Sequence, residues 1–250
     1  MSVYALADLH GNLPIFNEIM NHLGPDDTLY YLGDAVDRGP NGWEILQRLL
    51  NDPRVIFIKG NHEDMMLNCI GRYNPNTWDD NLFRWDYEWE TWYYNGGETT
   101  YKAFCADPNR QGRYEIIQKM KNLPFICAYH NTQSQIVYLC HAGCDDVDNI
   151  CETDAIWDRS HYQRPDRWLG NDNEVIVHGH TPIPLLVDEQ VRVCRAFNID
   201  YPLPKEEEMR GAYWYANGHK CCIDCGTVWT DQAVLLNLDT WDEEIFEVTK

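Results

Sequence analysis

The chain contains no run of about 18 apolar residues, the length a membrane-crossing helix needs, so no membrane partner is expected. Its start, Ser2-Val3-Tyr4-Ala5-Leu6-Ala7, lacks the basic opening and longer apolar stretch of a secretory signal, which predicts a cytoplasmic protein. It has no Gly/Ser-rich or Pro-rich tract and no fixed-period repeat, so a single domain over residues 1–250 is expected. Basic residues are scarce: 20 Lys and Arg stand against 40 Asp and Glu, a net charge of −20. A nucleic-acid surface needs a basic stripe, and none is available. The 10 cysteines fall well below the share that marks a disulfide scaffold. Alternation puts Cys221, Ile223 and Cys225 on one strand face, so core packing is expected there rather than a thiolate metal site.

What the chain does have is six short polar motifs at the ends of apolar runs. They are Asp8-Leu9-His10-Gly11, Gly33-Asp34-Ala35-Val36-Asp37-Arg38-Gly39, Gly60-Asn61-His62-Glu63, His141-Ala142-Gly143, Trp157-Asp158-Arg159 and Gly179-His180-Thr181. Asp, His and Asn offer oxygen and nitrogen donors that suit Mn, Fe or Zn. Arginine is shaped to hold phosphate through two parallel hydrogen bonds. The first three motifs, in this order, resemble those of the calcineurin-like metallophosphoesterases. Within that family the chain is similar to the phosphoprotein phosphatase branch, in its short bacterial and phage form.

Asp8 and His10 are two apart after a strand, a spacing that puts both on one face. Asp34 adds a carboxylate whose two oxygens can bridge two cations, Asn61 an amide oxygen, and His141 and His180 imidazole nitrogens. The resemblance implies one metal on Asp8, His10 and Asp34, and a second on Asp34, Asn61, His141 and His180. It also implies two divalent ions, manganese foremost with iron or zinc as options. A general-acid pair of His62 with Asp37, and phosphate-holding arginines Arg38 and Arg159, come from the same resemblance. His178 lies at a strand end beside the motif histidine, where packing or support is expected.

Strand and helix alternate over the first 72 residues: strands at Val3 to Ala7, Thr28 to Leu32 and Val55 to Ile58, helices at Leu13 to Leu23, Gly42 to Leu50 and from near Glu63. That predicts βαβ units and a largely parallel first sheet, with ligands at the carboxyl ends of its strands. Trp78, Leu82, Trp85, Trp89 and Trp92 step by 4, 3, 4 and 3, one stripe of a helix over residues 77–94. Thr77 with Asp80 would cap its start, and Asn95-Gly96-Gly97 would stop it. The stripe would either pack on the body or wall the substrate mouth. A further helix is expected at Tyr114 to Lys121. β-rich runs follow at Phe125–Tyr129, Ile136–Leu139, Glu174–Val177, Leu185–Cys194, Lys220–Cys225, Ala233–Leu238 and Ile245–Val248, with an exposed loop at 201–211. A mixed or antiparallel second sheet follows. The fold class is α/β: two packed mixed β-sheets flanked by helices, the four-layer α-β-β-α sandwich that the resemblance also implies.

The expected function is a metal-dependent phosphoric monoester hydrolase acting on phosphoserine or phosphothreonine in proteins. A phosphorylated protein or small phosphoester is therefore the expected partner. The related dinucleoside tetraphosphate hydrolases usually carry Ala-Arg-Gly where this chain has Asp37-Arg38-Gly39, and Gly-Asn-His-Asp where it has Glu63. A nucleoside polyphosphate hydrolase is thus the second reading. A non-catalytic metal-bound scaffold is the third, and it would be expected to have lost ligands that this chain keeps.

Overall fold

A computed structural model describes residues 1–80, 86–205 and 209–248. Its first half is built as the alternation predicts. Strand β1 (Val3–Leu6) leads to α1 (Leu13–His22), β2 (Thr28–Tyr31) to α2 (Gly42–Asn51), and β3 (Val55–Phe57) to α3 (Asn61–Ile70). Asn12 caps α1 through its side chain, which accepts from Ile15 N, and Pro14 sits in the first turn, where its missing N–H costs nothing. Helix α2 buries Ile45, Leu46 and Leu49 from one stripe, each contributing roughly 1.5–3 kcal/mol if fully removed from water. Strands β1, β2 and β3 pair in parallel. Strands β9 (Gln232–Asn237) and β10 (Glu243–Glu247) then extend the same sheet antiparallel, giving the order β10-β9-β1-β2-β3. The last two strands therefore join the first sheet, not the second.

The second sheet has the order β4-β5-β6-β8-β7, from Ile126–His130, Ile136–Cys140, Glu174–His178, Lys220–Cys222 and Tyr213–Tyr215 respectively. Its β5, β6 and β8 run parallel, and both edges are antiparallel. The two sheets face each other across an apolar layer that includes Ala5, Leu32, Ile58, Val137, Val177, Cys221, Ile223, Cys225 and Val234. Cys221, Ile223 and Cys225 point into that layer while Cys222 lies on the opposite face, as alternation requires. All ten cysteines are free. Helices cover the outer faces, and no helix among the described residues is long and apolar enough to cross a membrane.

Two expectations fail. Leu185–Cys194 is not a strand but the core of α7 (Ile183–Phe197). Its valines suggested β-structure, yet Ile183, Leu186, Val187, Gln190 and Cys194 are the buried positions, a 3.6-residue stripe that packs on β7 and β8. The proposed helix over 77–94 is also shorter. Leu82 and Trp85 lie outside the described residues, and α4 spans Tyr87–Trp92, capped by the Asp86 side chain accepting from Trp89 N at 3.2 Å. Thr77 and Asp80 form no capping box. Asp80 instead accepts from Arg110 at 3.1 Å and from Arg113 at 2.7 Å. Asn95-Gly96-Gly97 does not end the helical run either. It forms a wide turn, Tyr93–Gly97, that leads straight into α5 (Glu98–Ala106), followed by α6 (Arg110–Lys121). Trp89 and Trp92 are buried in the core under the first sheet, so the packing alternative holds for them. In the 201–211 loop, Tyr201 and Met209 are half-buried against the α7 core, and 206–208 lie outside the described residues.

Arg113 is 1% exposed, stacks against Tyr73 and Phe104, and donates to Phe104 O as well as to Asp80. Asp80→Ala leaves that guanidinium with its carboxylate partner gone. A loss of about 1–3 kcal/mol is expected, since one side of Asp80 faces solvent. The urea midpoint of wild type and variant checks this; equal midpoints would show that Arg113 needs no counter-charge.

Candidate metal and phosphate site

The loops that follow the parallel strands converge at one edge of the two sheets. The loop after β1 is zipped to the loop after β2 by Asp8 N to Gly33 O, His10 N to Asp34 O and Gly11 N to Ala35 O, at 3.0–3.1 Å. Asp8, His10, Asp34, Asp37, Arg38 and His180 all have positive φ, from 44° to 70°. Non-glycine residues rarely occupy this left-handed region, and they hold it only where the surroundings over-determine it. Two-residue strand periodicity is therefore not what places Asp8 and His10, which lie beyond β1 on curled backbone. At Gly33 the loops approach closely: a Cβ there would lie 2.5 Å from Gly60 Cα.

Glu63 ties the next pair of loops. Its carboxylate accepts from Asp34 N at 2.8 Å, Ala35 N at 2.9 Å and Gly60 N at 3.1 Å. Burial, then the Asp34 charge, push Glu63 up to about 7. Asp34 itself sits at the centre. Its Oδ2 faces His10 Nε2 at 3.5 Å and His62 Nε2 at 3.8 Å, while Oδ1 faces His141 Nε2 at 3.4 Å. Burial works to raise Asp34, but the neighbouring His141 and His62 hold it well below the usual carboxylate range.

On the far side, Asn61 Oδ1, His141 Nε2 and His180 Nδ1 lie 2.8–3.1 Å from one another. Lone pairs at that spacing repel unless a proton or a cation lies between them. His141 Nδ1 is 2.6 Å from Leu32 O, which fixes the ring with Nε2 inward. Burial alone would lower His141, but the Asp34 and Asp8 charges push it up to about 10. Two groups of three donors each gather within 4.8 Å: His10, Asp34 and His62, and Asp34, His141 and His180. Asp34 belongs to both, one oxygen turned to each. This set of imidazoles, carboxylates and one amide oxygen fits a borderline divalent ion. Asp8 joins neither group: its carboxylate accepts from His180 N at 3.1–3.2 Å. Burial, then the Asp224 charge, push Asp8 well above the usual carboxylate range.

His62 Nδ1 lies 2.7 Å from Asp37 Oδ2, and its Nε2 lies 3.1 Å from Arg38 Nη2. Arg38 Nη1 reaches His10 Nε2 at 2.8 Å, and Arg159 Nε reaches His180 Nε2 at 3.1 Å. Among the described residues neither arginine forms an ion pair with a carboxylate. Both line a cavity of about 180 Å³ with Asp34, Asn61, Asn95, Trp157 and His180. Trp229 lies beside it, 5.8 Å from the Arg38 guanidinium. His178 stays out of the cluster, fully buried with Nε2 2.8 Å from Tyr215 OH, which fits the packing alternative of the two expected of it.

Asp224 was missed by reading only the cysteines around it. Like the other site residues it is a polar residue closing an apolar run, and like His141 it has a glycine two positions on. It is buried, accepts from Gly226 N at 2.8 Å, and is pushed up to about 6 by burial and by the Asp34 charge. Asn95, Trp92 and Thr100 were also missed, because nothing local in the sequence ties α4 and α5 to residues near position 37.

The Calcineurin-like phosphoesterase family model matches residues 1–222. The chain is 26% identical over 162 residues to serine/threonine-protein phosphatase 2 of Escherichia coli, covering 62% of this chain and 66% of that protein. It is 26% identical over 147 residues to the symmetrical bis(5'-nucleosyl)-tetraphosphatase of Nitrosococcus oceani, covering 57% of this chain and 44% of that one. The match thus spans just under two thirds of the first relative and under half of the second. A solved structure described as a putative diadenosine tetraphosphatase superposes with a TM-score of 0.59 at 16% identity, covering 98% of this chain and 92% of that one, a likeness of fold alone. With two mixed sheets between helices and the family pattern running through both of them, the chain belongs to the calcineurin-like phosphoesterases.

Proposed function

We propose that the chain hydrolyses phosphoric monoesters at a centre of two divalent ions, and that its substrates are phosphoserine and phosphothreonine in proteins. Asp8, His10 and Asp34 would hold one ion, and Asp34, Asn61, His141 and His180 the other, with manganese the expected metal. The opposed oxygens of Asp34 support a bridging role. When bound, the ions would supply charge neutralisation at the phosphate oxygens and a more acidic water as nucleophile.

The chain's own residues supply the rest. Arg38 and Arg159, free of carboxylate partners among the described residues, grip phosphate oxygens by paired N–H donors. The observation that carries the protein-phosphatase reading is the His62–Asp37 contact at 2.7 Å. Asp37 holds the proton on Nδ1, leaving Nε2 turned to the cavity side beside Arg38. In the imidazolium form Nε2 carries a second proton, which passes to the leaving oxygen as the neutral imidazole forms. A serine alkoxide needs that proton; a nucleotide phosphate leaves with far less help. The relative named for tetraphosphatase activity keeps nucleoside polyphosphates as the second reading, with Trp157 at the cavity as a surface on which a base would stack. A scaffold without activity is disfavoured by the intact donor set.

Three measurements bear on this. With manganese added, a phosphoserine peptide is expected to turn over with at least about tenfold higher kcat/KM than a dinucleoside tetraphosphate; the reverse order would favour the second reading. His62→Asn is expected to slow the peptide by about 10²–10⁴ and p-nitrophenyl phosphate, a better leaving group, much less. Metal loading must displace the His141 proton, so affinity rises with pH towards the value of about 10 at which free His141 would lose it. Calorimetry at pH 7.5 in two buffers of different ionisation enthalpy is expected to register proton release on loading, His141 contributing to it; Asp34→Asn is expected to bind both ions more weakly. No proton release, or two ions held normally by Asp34→Asn, would contradict the ligand assignment.

A further inference from the structure

Helix α4, the turn after it and α5 touch the Asp37–Arg38 segment at three points, each far from it in sequence. Trp92 Nε1 donates to Asp37 Oδ2 at 2.9 Å, the same oxygen that faces His62 Nδ1. Asp37 N donates to Thr100 Oγ1 at 2.8 Å. Arg38 N donates to Gly96 O at 3.1 Å. The two glycines make this approach possible. Gly96 has φ 96°, and a Cβ there would sit 2.8 Å from Arg38 N; a Cβ on Gly97 would sit 2.5 Å from the Trp92 indole nitrogen. Asp37 and Arg38 are themselves both left-handed, at φ 70° and 64°, a strained pair that needs outside support.

Asp37 is fully buried, and its Oδ1 has no hydrogen-bond partner among the described residues. Both of its side-chain bonds therefore fall on Oδ2. An indole N–H can only donate, so Oδ2 must accept from it, and the carboxylate cannot turn that oxygen away without leaving the buried indole unpaired. Remove the indole N–H and His62 is the sole remaining partner. The carboxylate is then free to rotate about its Cβ–Cγ bond, and the imidazole with it.

We propose that Trp92 and Thr100 are positioning residues that act through Asp37 on His62, so that α4, α5 and the glycine turn form a strut for proton delivery to the leaving group. This rests on His62 being the general acid. Core packing alone makes a different forecast: a smaller aromatic at position 92 would destabilise the fold and slow all substrates alike.

The test uses the full chain loaded with Mn²⁺, with a phosphoserine peptide and p-nitrophenyl phosphate as substrates. Trp92→Phe, which keeps a ring and loses the N–H, is expected to lower kcat for the peptide by about tenfold or more, with KM within about twofold and a smaller effect on p-nitrophenyl phosphate. Added to His62→Asn, it is expected to cost less than about twofold further, because residues acting through one group do not add. Thr100→Val is expected to repeat the pattern and Thr100→Ser to restore it, and this pair decides the matter if Trp92→Phe fails to fold. Equal slowing of both substrates, or a full additional loss in the His62→Asn background, overturns the strut while leaving His62 as the acid. If His62→Asn itself shows no leaving-group selectivity, the general-acid reading falls and the strut with it.

Discussion

Six left-handed residues crowd one edge of two sheets, and the whole site depends on their being held there. Each such residue costs on the order of 1–3 kcal/mol, so isolated loops would relax. They do not relax because neighbouring loops satisfy one another. The loops after β1 and β2 share backbone hydrogen bonds, and Glu63 collects three N–H groups from the loops after β2 and β3. His180 N in turn closes on Asp8, joining the second sheet to the first. The curl at each strand end turns side chains that would otherwise alternate so that they face a common point.

Electrostatics explains why that point calls for cations. Asp8, Asp34, Asp37, Glu63 and Asp224 are all buried, in a chain already at −20. Glu63 rises to about 7 and Asp224 to about 6, burial being the first cause of each and the Asp34 charge a second. His141 is pushed in the same direction, up to about 10, towards holding a proton. Carboxylates that resist ionising beside a histidine that resists losing its proton describe one field, too negative to stand uncompensated. Two divalent ions in the proposed centre would relieve it, and two arginines without carboxylate partners at its rim would then meet phosphate rather than neutralise acids.

Much of this was legible in the sequence, for a physical reason. A polar residue that closes a buried strand has few places to go except the carboxyl edge of a sheet, so Asp8, Asp34, Asn61, His141 and His180 announced a shared location. Asp224 obeyed the same rule and was overlooked because the cysteines beside it drew the reading. Leu185–Cys194 was misread because β-branched valines mask a helical stripe, and only the burial of Ile183, Leu186, Val187 and Gln190 reveals the period. The tail strands β9 and β10 gave no local hint that they return to β1, since sheet membership is decided by pairing across more than 200 residues.

The tryptophan-rich segment carries the sharpest lesson about what periodicity can say. A stripe at helical spacing argues for packing, and Trp89 and Trp92 are indeed packed. Packing and polar work are not alternatives for an indole, however, because its ring is apolar while its N–H must find an acceptor once buried. For Trp92 that acceptor is Asp37, and the glycine turn that follows lets the next two carbonyl and hydroxyl groups reach the same segment. An apolar core thereby comes to hold the carboxylate that faces His62. The buried end of the site is built of the same side chains that stabilise the fold, and the open end, where Arg38, Arg159 and Trp157 meet solvent, is left to deal with substrate.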